Sequence, residues 1–189
     1  MESVSILMDN PKILVYAGPN GSGKSTISKG SPVTGIYVNA DNIKHHRGCT
    51  DIEAAVEAEA VRENLLSLKK SFTFETVLST ERNLILLENA KKQGYSIDIV
   101  FVLTSDAELN VKRVKARVIQ GGHDVPENKI RSRYNKSLMM IKKLIKVADL
   151  FIIVDNTVRP EIIYKKEADD EVILSNEFWN EKAITDLTH

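Results

Sequence analysis

The chain has 189 residues, 42% hydrophobic and 28% charged, enough to bury one sheet with helices on both faces and too apolar for a disordered tail. Twenty-six Lys and Arg offset twenty-six Asp and Glu, so no whole-molecule field draws it to nucleic acid or to an anionic membrane. One cysteine, Cys49, closes no internal disulfide, no apolar run approaches the roughly 20 residues that span a bilayer, and no signal-peptide pattern opens the chain; these predict a cytoplasmic protein.

In chain order, the polar stretch up to Pro11 reads as a short lead-in, and Lys12–Ala17 as a buried strand that stops at Gly18. A Gly-rich turn follows, and Ser25–Ser28 open a helix. Gly35–Asn39 is a second short strand, and His45–Gly48 reads as loop or ragged helix. Ala54, Ala58, Val61, Leu65 and Leu68 recur at helical spacing, with Glu53, Glu57, Arg62, Glu63 and Lys69 on the other positions. Phe72–Thr76 is a third strand, Asn83–Gln93 a helix with Gly94 as its cap, and Ile97–Leu103 the most strand-like run. Thr104, Ser105 and Asp106 offer N-caps for a helix to about Ile119. Gln120–Pro126 breaks the pattern. The helical period resumes from Glu127 to Ala148, Leu150–Val154 is a fifth strand, and Ile162–Lys166 with Val172–Leu174 forms a hairpin. Phe178 and Trp179 anchor the polar tail. Alternating strands and helices predict an α/β fold: a five-stranded, mostly parallel sheet flanked by helices, in a single domain with its core at about 12–159 and an extension at 160–189.

Gly18-Pro-Asn20-Gly21-Ser22-Gly23-Lys24-Ser25 fits G-x-x-x-x-G-K-[ST] and stands between a predicted strand and a predicted helix, as the phosphate-loop mechanism requires. Backbone N–H groups from Gly21 to Thr26 would converge on phosphate oxygens. Lys24 would reach the β and γ phosphates, and the Ser25 hydroxyl would hold Mg²⁺. The motif therefore predicts binding of ATP with Mg²⁺.

Asp41 and Glu75 stand at strand ends on the edge of a parallel sheet where ligands bind. A kinase needs a carboxylate to take the acceptor hydroxyl's proton, and Asp41, in Val38-Asn-Ala-Asp41, is the candidate base. Its other reading is a helix N-cap, and Glu75's is a solvated strand-end acid. Thr76 and Thr80 are hydrogen-bonding candidates for a polar substrate. The segment Lys112–Lys146 is locally basic. Its lysines read as a solvated helix face, whereas Arg117, Arg131 and Arg133 flank the Gly121-Gly122 break and suit a lid over transferring phosphate. His45, His46 and Cys49 lack the further ligands of a zinc site. No acidic residue ends an apolar strand beside the phosphate-loop strand: Ile97–Leu103 runs into Thr104, and Leu150–Val154 reaches Asp155 only at an outer strand.

Together Ala17-Gly-Pro-Asn-Gly-Ser-Gly-Lys-Ser-Thr26, Val38-Asn-Ala-Asp41, Phe74-Glu-Thr76, Arg117-Val-Ile-Gln-Gly-Gly-His-Asp-Val-Pro-Glu127, Arg131-Ser-Arg133-Tyr and Val154-Asp-Asn-Thr157 resemble the small zeta-toxin-like P-loop kinases over about Lys12–Arg159. The resemblance implies a kinase core that phosphorylates UDP-N-acetylglucosamine on the sugar 3′-hydroxyl, with an antitoxin partner. It makes Lys24, Ser25, Asp41, Arg117 and Arg133 the phosphate-transfer set, and Glu75, Thr76 and Arg131 substrate contacts. Asp155 and Asn156 would lie near the nucleotide base. The chain departs from the long toxins in its shorter length and in Thr-Val-Leu between Glu75 and Ser79. Two alternatives follow: a kinase for another small acceptor, such as an antibiotic or nucleoside, and a nucleotide-dependent switch acting through a partner. The neutral overall charge argues against a nucleic-acid substrate.

Overall fold

The computed structural model describes residues 10–189, so most of the lead-in before Pro11 lies outside the described residues. Fifteen elements follow one another: β1 (Lys12–Ala17), α1 (Lys24–Lys29), β2 (Ile36–Val38), α2 (Ala40–Arg47), α3 (Asp51–Ser67), β3 (Phe72–Thr76), α4 (Arg82–Lys92), β4 (Ser96–Leu103), α5 (Ala107–Ile119), α6 (Glu127–Met139), α7 (Ile141–Val147), β5 (Leu150–Asp155), β6 (Glu161–Glu167), β7 (Asp170–Ile173) and α8 (Glu181–Thr188). The sheet order is β2-β3-β1-β4-β5-β6-β7. Its first five strands are parallel, as expected, and the C-terminal hairpin joins the same sheet by antiparallel pairing of β6 with β5, giving seven strands.

The apolar runs that predicted the strands form the core, where Ile13, Val15, Phe72, Phe74, Ile97, Ile99, Phe101 and Ile153 are fully buried. Such two-sided burial is why β1, β4 and β5 read as near-continuous apolar runs, whereas β3 alternates. From β1 the chain passes to β2 and β3 on one side and then to β4 and β5 on the other, so the turn after β1 opens at the switch point where ligands bind. Among the described residues no helix is long and apolar enough to cross a membrane.

One local reading is settled and three change. The ragged segment around His45 is the helix α2, because the Asn39 side chain accepts the Asp41 N–H at 2.8 Å and caps it. Arg62, placed by periodicity on the wet side of α3, is only 8% exposed and lies over the Phe74 ring at 5.0 Å. The helix expected from Glu127 to Ala148 is divided at Met140, whose N–H bonds back to Ser137 at i−3 and tightens the turn. The polar tail folds as α8, capped by Asn180 and seated by the buried Ile184. Trp179 packs against the core, while Phe178 remains exposed.

Candidate active site

The turn after β1 is shaped by residues without a side chain. Gly23 caps α1 at φ 93°, and a Cβ there would stand 2.2 Å from Asn156 Nδ2. Gly18, at φ 135°, would clash with the Val102 carbonyl oxygen at 2.0 Å. Only glycine satisfies both the left-handed backbone and the close approach. Within this loop Lys24 is 9% exposed, and its Nζ donates to the Pro19 carbonyl at 2.8 Å. Burial pushes its ammonium down to about 8, against the attraction of Glu75 and Asp41 and with added repulsion from Arg117. Those three charges therefore act on the lysine. Ser22 Oγ is fully buried and has no hydrogen-bond partner among the described residues.

Beside the loop, β3 pairs with β1 so that Tyr16 aligns with Glu75 and Ala17 with Thr76. Glu75 Oε2 accepts from Ser25 Oγ at 2.7 Å, and Oε1 accepts from both the Ser28 and the Tyr37 hydroxyls. Glu75 is thus the acidic residue ending the strand next to the phosphate-loop strand, which corrects the expectation that none does. Phe-Thr-Phe-Glu-Thr conceals it because Thr73 interrupts the apolar run, yet Thr73 is itself buried, bonded to Thr34. A triphosphate and a hard divalent cation fit what is present: an orphaned buried hydroxyl, a cradle that a Cβ would fill, a desolvated lysine, and a hydroxyl paired to a carboxylate.

Asp41 lies in the first turn of α2, exposed. Asn39, not Asp41, supplies the side-chain cap, and the Asp41 carboxylate has no hydrogen bond or ion pair among the described residues. Thr76 Oγ1 accepts from Leu78 N–H at 3.1 Å and from Asn83 Nδ2 at 2.8 Å. With both lone pairs engaged, its hydroxyl hydrogen is left to donate. The loop beyond it is held in place by Leu78, buried at φ 52°, and by Ser137 Oγ of α6, which donates to the Val77 carbonyl at 2.8 Å.

Residues 120–126 connect α5 to α6 over a small apolar cluster of Val111, Val114, Val125 and Ile130. Arg117 Nη2 donates to the His123 carbonyl at 2.6 Å, and His123 Nε2 stands 3.8 Å from Asp51 Oδ2, so the connection reaches the start of α3. Arg133 Nη1 lies 3.3 Å from Asn20 Oδ1 in the phosphate loop. Arg131 is not brought there. Two helix positions separate their directions by about 200°, and the Arg131 guanidinium is paired with Glu108 and Glu127.

Asp155 and Asn156, expected near the nucleotide base, both bond within the protein. Asp155 is 2% exposed, and its carboxylate is occupied by Thr157 N–H at 3.0 Å, the Thr157 hydroxyl and Asn176 Nδ2 at 2.8 Å. It ties the segment after β7 to the core at Asn176. Asn156 braces the phosphate loop from outside, donating from Nδ2 to the Ser22 carbonyl at 2.8 Å. Reasoning along the chain missed Tyr37 and Ser28. Ser28 had a signal, since Ser25 and Ser28 share a helix face at i and i+3; Tyr37 had none.

The Zeta toxin family model matches residues 6–169. An uncharacterised protein of Haemophilus influenzae is 30% identical over 129 residues, covering 65% of this chain and 92% of that protein. Among solved structures, AvrRxo1-ORF1:-ORF2 with ATP superposes with a TM-score of 0.69 at 14% identity, over 87% of this chain and 60% of that one. The PezAT toxin–antitoxin system of Streptococcus pneumoniae gives 0.58 at 18% identity, over 82% and 72%. The chain thus spans less than two thirds of the AvrRxo1 chain's length. These low-identity likenesses establish the fold. With the matched span covering most of the residues, the chain belongs to the Zeta toxin family.

Proposed function

We propose that the protein transfers the γ-phosphate of ATP to a hydroxyl of a small molecule, with UDP-N-acetylglucosamine as the acceptor to test first. The observation that carries the reading is the hydrogen bond from Ser25 Oγ to Glu75 Oε2 at 2.7 Å beside the buried Lys24, with Asp41 unengaged nearby. Lys24 neutralises charge on the β and γ phosphates, and the orphaned Ser22 hydroxyl gains a phosphate oxygen as partner. Ser25, its hydroxyl oriented by Glu75, would hold Mg²⁺, which would supply charge to offset the negative charge of the phosphates. Arg133, reaching Asn20, and Arg117, on the lid, would supply further positive charge to the transferring group.

Asp41 takes the proton of the acceptor hydroxyl as its oxygen bonds to the γ-phosphorus. The bond from that phosphorus to the β–γ bridging oxygen breaks, and ADP leaves with the electron pair. Thr76 donates its hydroxyl hydrogen to an acceptor oxygen. PezAT is a toxin–antitoxin system and AvrRxo1-ORF1 is paired with ORF2; by analogy we extend the proposal to a protein partner that restrains this chain.

The test is ADP release with Mg²⁺ and ATP, alone and with a panel of acceptors, beside Asp41→Asn. Stimulation by UDP-N-acetylglucosamine, lost by at least about a hundredfold in Asp41→Asn with ATP binding retained, supports the reading. Full transfer by the variant overturns the role of Asp41. The position of Glu75 restores one feature to the switch alternative, an acid beside the phosphate-loop serine. Absence of stimulation by every acceptor, together with slow ATP hydrolysis, selects that alternative.

A further inference from the structure

Three hydroxyl donors converge on the Glu75 carboxylate, and they divide between its two oxygens. Ser25 holds Oε2 at 2.7 Å, while Ser28 and Tyr37 hold Oε1. A glutamate at a strand end has free side-chain torsions, and an oxygen held on one side only would let the carboxylate swing off the serine. Tyr37 lies at the centre of β2, two strands from the phosphate loop, and crosses β3's end to reach it. Its hydroxyl hydrogen is directed at Glu75 Oε1. The phenol oxygen in turn accepts from Asn39 Nδ2 at 3.3 Å, and Asn39 Oδ1 holds the Asp41 N–H at 2.8 Å. One tyrosine oxygen thus stands between the start of the helix bearing Asp41 and the acid that orients Ser25.

The geometry points to Tyr37 as a positioning residue that fixes the Glu75 carboxylate so that the Ser25 hydroxyl keeps its hydrogen on Glu75 and turns its lone pairs to the metal of a bound Mg·ATP. Tyr37 touches neither metal nor nucleotide and acts through Glu75. The inference rests on the proposed Mg·ATP site.

The test needs no acceptor. Binding of a fluorescent ATP analogue is followed during Mg²⁺ titration, and Mn²⁺ replaces Mg²⁺ for electron paramagnetic resonance of the bound ion. Tyr37→Phe is expected to raise the Mg²⁺ needed for half-maximal binding about five- to tenfold, the size of one charge-assisted hydrogen bond partly backed by Ser28, with metal-free nucleotide binding unchanged. The Mn²⁺ spectrum broadens. Combining Tyr37→Phe with Glu75→Gln adds nothing beyond Glu75→Gln alone, because the tyrosine acts only through the carboxylate. A wild-type Mg²⁺ titration and spectrum in Tyr37→Phe overturn the assignment, as does full additivity in the double variant. Thermal melting establishes that each variant is folded. Should Tyr37→Phe fail that check, Ser28→Ala, which removes the other donor to the same oxygen, takes its place: a raised Mg²⁺ requirement supports the assignment and a wild-type titration overturns it. Wild-type protein that binds no Mg·ATP overturns the function and this inference together, whereas normal wild-type binding with an unaltered Tyr37→Phe variant overturns the inference alone.

Discussion

Lys24→Met is expected to stabilise the folded protein while abolishing nucleotide binding. The ammonium is 9% exposed and has one protein hydrogen bond, to the Pro19 carbonyl at 2.8 Å. Burial moves its titration from 10.5 down to about 8, net of the attraction of Glu75 and Asp41. A displacement of that size corresponds to about 3 kcal/mol against the folded state at pH 7, at ~1.4 kcal/mol for each tenfold change in proton affinity. Met has nearly the same length and no charge, and it forfeits a hydrogen bond worth about 1 kcal/mol. The net gain is about 2 kcal/mol at pH 7. The sign with pH follows from the folded value lying below the unfolded one: folding releases a proton between about 8 and 10.5, so the wild-type penalty is full below 8 and fades as pH rises. The stability gap between variant and wild type should therefore shrink by about 2 kcal/mol between pH 7 and 9.5. Urea unfolding of both proteins at the two pH values measures it. A variant less stable than wild type at pH 7, or a gap that does not move with pH, would refute the reasoning.

The lid arginines Arg131 and Arg133 should behave differently. Arg133→Ala is expected to lower kcat/KM about a hundredfold, because it removes the guanidinium that reaches the phosphate loop, while Arg131→Ala changes it less than about threefold; equal losses in a steady-state assay would contradict the assignment. Asp155→Ala should destabilise the protein by about 3 kcal/mol in urea unfolding, since it strips partners from Thr157 and Asn176 and unties the segment after β7. A loss below about 1 kcal/mol would show that the Asp155 carboxylate is not what fixes Thr157 and Asn176.

The phosphate loop was legible along the chain because its chemistry is local. Eight consecutive residues hold the glycines, the lysine and the serine, and the apolar run before them is a strand whatever its neighbours are. Most of the parallel strands were legible for a related reason, since two-sided burial demands uninterrupted apolar side chains at Ile13–Ala17 and Ile99–Leu103. Asp41 could be singled out from a strand end. The arrangement around it could not, because α2 forms only when Asn39 gives it a cap and the buried Arg62 leaves the wet face only when Phe74 is beneath it.

What only tertiary structure decided were choices between side chains that look alike in sequence. Arg131 and Arg133 differ by two positions, and helical rotation sends one to Glu108 and Glu127 and the other to Asn20. Asp155 has the composition of a ligand contact, yet Asn176, twenty-one positions later, takes its carboxylate. Glu75 gained its place because β3 pairs with β1, a non-local choice that brings Ser25, Ser28 and Tyr37 onto one carboxylate. Periodicity reports which face of an element is apolar. It carries no information about which strand lies next to which, and the polar contacts of this site are set by that adjacency.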